Sequence, residues 1–257
     1  MTSQLDLATQ FAKLHIKGDP LILFNVWDAG SAKAIRDIGA KAIATGSWSV
    51  AAAHGYEDGE KLPFNWALAN LRRIVASVDL PVTFDMEGGY GVSPAEIKVN
   101  VAEAIEAGAI GMNFEDQIIN GDGLYSIDDQ CQRIDAARQA AEESGIPFFI
   151  NARTDIYLLA APDTHNDDHL KEAITRSAAY AEAGASGFFA PGLFDITRIE
   201  TLCQQSKLPV NIMVMGNTPP LKEMAQAGVA RISHGATPYR LAMIALQEAG
   251  RRALALG

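Results

Sequence analysis

The chain has 257 residues, 48% of them hydrophobic and 20% charged, enough apolar material to bury a large core in one domain or two. Its formal net charge is -10, with no basic run, which argues against nucleic acid or an anionic membrane as a partner and leaves any small anion to be bound by local Arg. Two cysteines, Cys131 and Cys203, fall within amphipathic helical patterns and share no metal-ligand spacing; a disulfide framework is not expected, and a reducing compartment is.

From the N-terminus, Thr2 to Lys17 carries Leu5, Phe11 and Leu14 at helical spacing. The segment lacks a signal-peptide layout, and no apolar run is long enough to span a bilayer, so the cytoplasm is the expected location. After Asp19 the chain repeats a two-part phrase. One part is a Pro-led strand: Pro20 to Asn25, Pro81 to Asp85, Pro147 to Asn151 and Pro209 to Met213. The other is a helix end, a glycine and a strand, at Gly39 to Ala44, Gly108 to Asn113, Gly184 to Phe189 and Gly228 to Ser233. Helical spacing predicts helices over about 29–39, 65–78, 94–107, 127–144, 167–184, 195–206, 218–227 and 237–254. Eight strands each followed by a helix specify a (β/α)8 TIM-type barrel as a single domain over residues 1–257, its bottom capped by the N-terminal helix. An open doubly wound sheet is the alternative; the repeated phrase gives no privileged edge, and no nucleotide-binding glycine signature follows the first strand.

In such a barrel the chemistry sits at the carboxyl ends of the strands. The exits are Trp27-Asp28, Thr45-Gly46-Ser47, Asp85 with Glu87, Asn113 with Glu115-Asp116, Asn151 with Arg153 and Asp155, Ala190-Pro191-Gly192, Asn211 or Met213, and His234. Asp85 and Glu87, two apart on a strand, face one cavity. With Glu115 they form an oxygen-only set suited to Mg²⁺ or Mn²⁺ rather than zinc. Arg153 has the fork that holds a carboxylate, with a structural partnership to Asp155 or Asp85 as its other reading. Thr45-Gly46-Ser47 offers backbone N–H groups to an oxyanion. Two long glycine-bearing loops, Ser47 to Phe64 and Gln117 to Tyr125, are candidate lids. No Lys stands at a strand exit, which disfavours Schiff-base chemistry.

Thr45-Gly46-Ser47, Gly55-Tyr56-Glu57-Asp58, Asp85-Met86-Glu87-Gly88-Gly89-Tyr90-Gly91, Phe114-Glu115-Asp116-Gln117 and Asn151-Ala152-Arg153-Thr154-Asp155 occur in that order. Together they resemble the successive signatures of the isocitrate lyase/phosphoenolpyruvate mutase superfamily. The resemblance implies a Mg²⁺-dependent barrel acting beside an oxo acid. Asp85 would hold the metal, Glu87 and Glu115 would reach it mainly through water, and Asp58 would organise that water. Arg153 would bind substrate carboxylate or enolate with Trp27, Thr45, Gly46, Ser47, Asp85 and Asn211 around it, so that Asp58, Glu115 and Arg153 are the catalytic set. A homo-oligomer, dimer or tetramer, is also expected. The Lys-x-Cys-Gly-His segment of isocitrate and methylisocitrate lyases is replaced by Ile118 to Tyr125, and the acid or His after strand six by Pro191-Gly192. The expected activity is therefore a lyase or decarboxylase of a small α-oxo or 2-hydroxy acid, through an enolpyruvate-like intermediate. Phosphonopyruvate or phosphoenolpyruvate mutase or hydrolase chemistry and a non-catalytic oxo-acid-binding protein are the alternatives.

Overall fold

The computed structural model describes residues 2–255. In chain order the elements are α1 (Gln4–Lys13), β1 (Leu21–Leu23), α2 (Ala29–Asp37), β2 (Ile43–Ala44), α3 (Ser47–Ala53), α4 (Phe64–Ser77), β3 (Val82–Asp85), α5 (Pro94–Glu106) and β4 (Gly111–Glu115). There follow α6 (Ile127–Ser144), β5 (Phe149–Arg153), α7 (Ile156–Leu159), α8 (Asp167–Glu182), β6 (Gly187–Phe189), α9 (Ile196–Gln205), β7 (Val210–Met213), α10 (Leu221–Gln226), β8 (Arg231–Ser233) and α11 (Thr237–Leu254). Helix starts follow local chemistry. Ser3, Asp28, Ser93 and Asn166 close capping boxes on α1, α2, α5 and α8, and Gly145 ends α6 in the left-handed region at φ 69°.

The strands form one parallel sheet in the order β1-β8-β7-β6-β5-β4-β3-β2. The sheet curls until β1 and β2 meet through a single parallel bridge, Val26 to Thr45. Asn25 sews this seam: its Nδ2 donates to the Thr45 carbonyl at 2.9 Å, and its Oδ1 accepts from the N–H groups of His234 and Gly235 at 3.0 and 2.9 Å. The expected (β/α)8 barrel is thus present, nearly closed, with helices between the strands. Inside it Gly187 is required by space, since a Cβ there would stand 2.8 Å from Asn151 Oδ1.

Helix α1 covers the barrel bottom as expected. Ala8 and Phe11 are fully buried, and Phe11 packs edge-on against Phe149 with centroids 5.4 Å apart. His15 stacks on the same ring at 4.0 Å. The sequence misjudges three stretches. Ser47–Ala53, read as loop, is helix α3; a turn of helix, α7, follows β5; and α10 starts late because Pro219 and Pro220 delay it. Among the described residues no helix is long and apolar enough to cross a membrane.

Candidate active site at the strand exits

Asp85 ends β3 inside a web from its neighbours. Its N–H donates to Thr45 Oγ1 at 2.9 Å; its Oδ2 accepts from the Ser47 N–H at 2.9 Å and its Oδ1 from Asn113 Nδ2 at 3.2 Å. The backbone donors expected to await an oxyanion are therefore engaged, Ser47 by Asp85 and Gly46 by the Val26 carbonyl at 3.3 Å.

Glu87 lies just beyond the strand, 4% exposed, with a left-handed φ of 50°. Non-glycine residues adopt that conformation only when their surroundings impose it. Here its Oε2 accepts from the N–H groups of Gly59 and Glu60, each at 2.7 Å, and Oε1 from the Tyr90 hydroxyl at 3.2 Å. Burial, then the charge of Asp58, pushes Glu87 up to about 7. Asp58, at the solvent-facing rim, is raised by desolvation and by Asp85, with Ser47 and Arg153 opposing.

Arg153 leaves β5 with its guanidinium divided. Nε and Nη2 grip Asp155 at 2.6 and 2.8 Å, and Nη1 reaches Glu115 Oε2 at 2.6 Å. The structural reading of this residue holds, its fork being taken by Asp155, and its side chain, 17% exposed, borders the mouth cavity. Burial opposes its charge, but Asp155 and Glu115 outweigh burial and hold the proton more firmly than usual. Burial raises Glu115 well above the ordinary carboxylate range despite Arg153. Asp116, beside it, belongs to the framework: it is fully buried and accepts from the Asp155 N–H, Arg176 Nη1 and the Tyr180 hydroxyl at 3.0, 3.2 and 2.8 Å.

A cavity of about 360 Å³ opens over these groups. Gly46, Ser47, Asp58, Asp85 and Arg153 line one wall; Met213 to Gly216, His234 to Thr237 and Arg240 line the other. Of the residues expected at the site, Glu87 and Glu115 stand behind this lining, and Thr45 contributes its hydroxyl to Asp85 from below. Asn211 is fully buried in the barrel, where its Oδ1 accepts from the Ser233 hydroxyl at 3.3 Å. Trp27 faces elsewhere: it lines an apolar outer groove of about 510 Å³ with Ala34, Ile35, Pro238 and Leu241, and its ring meets Tyr239 edge-on at 5.1 Å. That groove and a hollow of about 440 Å³ beside α1 are larger than the mouth but hold none of the carboxylates.

Arg240 is the residue that sequence reasoning missed. Its guanidinium sits 4.7 Å from the centre of the Trp48 ring and borders the same cavity as Asp58. The available signal was that the last helix begins right at the strand-eight exit, which puts Thr237 and Arg240, three apart, on one face. The segment Gln117 to Tyr125 is a small hairpin, bridged at Gln117 and Leu124. It packs Ile119 so close to Gly88 that a Cβ there would stand 2.7 Å from it, and Asn120 Oδ1 accepts from Lys61 Nζ. It borders a polar hollow of about 290 Å³ with Glu60, Tyr90 and Arg133 beside the mouth, and none of its residues lines the mouth itself. Cys131, on α6, and Cys203, on α9 and pushed up to about 12 by burial, also stand outside the mouth.

Among the described residues no three His, Cys, Asp or Glu converge closely enough to chelate a metal ion directly. What converges is charge: beyond the effect of burial, Asp58 and Asp85 both help to raise Glu87, Asp85 helps to raise Asp58, and Glu115 feels Asp85 and Glu87. A hydrated divalent cation held by one carboxylate and reached by the others through water fits this set; a dry, multidentate site does not.

The family model for phosphoenolpyruvate phosphomutase matches residues 11–254. A candidate phosphonomutase from Burkholderia cenocepacia J2315 superposes with a TM-score of 0.95 at 47% identity, over 98% of this chain and 100% of its own. An uncharacterized protein of Mycobacterium tuberculosis (strain H37Rv) is 33% identical over 94% of this chain and 87% of its own length. The 2-methylisocitrate lyase of Escherichia coli (strain K12) is 28% identical over 87% of this chain and 76% of its own. By that family match and these likenesses, the chain belongs to the isocitrate lyase/phosphoenolpyruvate mutase superfamily of enzymes.

Proposed function

We propose that this chain is a Mg²⁺- or Mn²⁺-dependent lyase or decarboxylase, a single barrel domain that cleaves a C–C bond of a small α-oxo or 2-hydroxy acid through an enolpyruvate-like intermediate. One observation carries this reading: Asp58 and Asp85 line a mouth that also presents Arg153 and Arg240, and Glu87 and Glu115 stand just behind it, close enough for their charges to act on one another. Asp85 would hold the cation, with Glu87 and Glu115 reaching it through water and Asp58 ordering that water from the rim. When bound, the cation supplies Lewis-acid stabilisation of negative charge on the oxo oxygen. Arg153, steadied by Asp155 and Glu115, keeps N–H groups free of those partners to orient the substrate carboxylate. Arg240, which lines the same cavity, would take a second anionic group, which favours a diacid. Without a mouth thiol, proton transfer falls to Asp58 or an ordered water.

A second reading, P–C bond chemistry on phosphonopyruvate, is favoured by Arg240, which supplies an anion seat beyond Arg153, and by the 47% identical candidate phosphonomutase. Turnover of oxaloacetate, 2-hydroxy diacids and phosphonopyruvate, with and without Mg²⁺, tests both. Mg²⁺-dependent pyruvate release from a C–C substrate is expected; turnover of phosphonopyruvate alone would select the second reading, and no turnover of any would overturn both. A homo-oligomer in the cytoplasm completes the proposal; association is supported by the bare apolar pair Leu241 and Ile244, three apart on α11 and both exposed.

A further inference from the structure

The barrel interior holds a cation that the proposed chemistry does not use. Arg231, the first residue of β8, is 1% exposed, and its Nε and Nη1 have no hydrogen-bond partner among the described residues. A buried guanidinium without a paired carboxylate is unfavourable, and an apolar side chain of similar volume is often the more stable choice. Burial lowers Arg231 to about 9, with Asp85 opposing, so it keeps its proton at neutral pH.

What Arg231 does touch is the back of the site. Its Nη2 donates to Asn113 Oδ1 at 3.0 Å. The same oxygen accepts from Asn151 Nδ2 at 2.9 Å, and Asn113 turns its own Nδ2 to Asp85 Oδ1 at 3.2 Å. Asn113 and Asn151 alone do not fix this direction, because each amide carries both a donor and an acceptor. Flipped together they would keep their mutual bond and aim the Asn113 oxygen at Asp85, repelling it. Arg231 has donors only, so the flipped arrangement would set the Asn113 NH₂ against a guanidinium. It breaks the tie.

We propose that Arg231 is a positioning residue for Asp85, locking the Asn113 amide from inside the barrel so that the carboxylate is presented to a divalent cation in one orientation. This rests on the metal reading above. It also predicts a sign: an Arg231 that acted only through its charge would repel a second cation, and its removal would tighten binding.

The test is Mn²⁺ binding followed by electron paramagnetic resonance on the full chain, with thermal melts alongside. Arg231→Met should weaken Mn²⁺ binding about 10- to 100-fold, the usual range for partners that orient a metal ligand. Arg231→Lys, still donor-only, should recover most of that loss. Unchanged or tighter Mn²⁺ binding in a folded Arg231→Met overturns the proposal. If Arg231→Met does not fold, Arg231→Gln replaces it: Gln carries both a donor and an acceptor and should bind Mn²⁺ more weakly than Arg231→Lys, whereas equal affinities overturn the proposal. Failure of the unsubstituted protein to bind Mn²⁺ would instead overturn the metal reading on which this inference stands.

Discussion

Two helices of equal length flank the mouth from opposite sides and could hardly differ more in their surroundings. α6 spans 18 residues and buries seven of them, among them Gln130 and Arg133. α11 also spans 18 and buries only Pro238. From α6, Arg133 donates to the carbonyls of Gly88, Gly91 and Val92 and stacks 4.1 Å from the Tyr125 ring centre, while Gln130 donates to the Glu115 carbonyl at 3.2 Å. The carboxylate wall is thus braced from behind by packed, hydrogen-bonded structure. The facing wall, His234 to Arg240, runs into a helix that leaves Leu241, Ile244 and Leu246 each more than half exposed, at 54, 51 and 64%. Contacts within the chain fix one wall and leave the helix of the other exposed.

The largest effect expected on the braced wall is chemical. Asp85→Ala should lower kcat/KM by about 10³-fold or more, in line with loss of an electrostatic centre, while the circular dichroism spectrum stays unchanged. Full activity at limiting Mg²⁺ would refute the role of Asp85. Next comes the brace: Arg133→Ala should destabilise by about 3 kcal/mol, since it strands several buried carbonyls. Urea unfolding reads this, and a loss no larger than that of an exposed α11 substitution would erase the contrast between the helices.

On the open wall, Ile244→Asp should leave monomer stability within about 0.5 kcal/mol yet abolish association, as read by light scattering across a dilution series. A monomeric parent protein would show that α11 needs no second copy. The smallest effect is a pH slope. Because Glu87 is raised from 4.5 to about 7 in the folded chain, metal-free protein gains stability from it below pH 4.5 and loses that gain as pH rises through 7. Melting temperature should therefore fall by roughly 5 °C between those limits, and Mg²⁺ or Glu87→Gln should flatten the slope; an unchanged slope in Glu87→Gln would assign it to other groups.

Much of this was legible in the chain itself. Prolines opening strands and glycines closing helices mark all eight repeats and put Asp85 at an exit, but Glu87 lies past the strand end, where its bonds to Gly59 and Glu60 rather than strand alternation place it. Donor occupancy was not legible. Whether the N–H groups of Gly46 and Ser47 are free depends on where β1 and β3 arrive, and both turn out to be taken. Trp27 was misdirected for a similar reason: the bridge at Val26 fixes the strand phase there, and the next side chain faces the outer groove. The helix over 47–53 escaped because a run of small residues carries no apolar period to read. Arg240 required knowing that the last helix abuts the mouth, which local patterns do not encode.

The left-handed backbone at Glu87 makes this position a strain gauge. At φ 50° an alanine keeps the unfavourable conformation, whereas a glycine adopts it freely. Glu87→Ala and Glu87→Gly remove the same carboxylate, so the difference in their melting temperatures reports the strain at the strand exit set against glycine's larger loss of chain entropy on folding. A more stable glycine variant would mean that the tether from Glu87 to Gly59 and Glu60 bends the main chain against its own preference, giving up stability to hold the mouth in one shape.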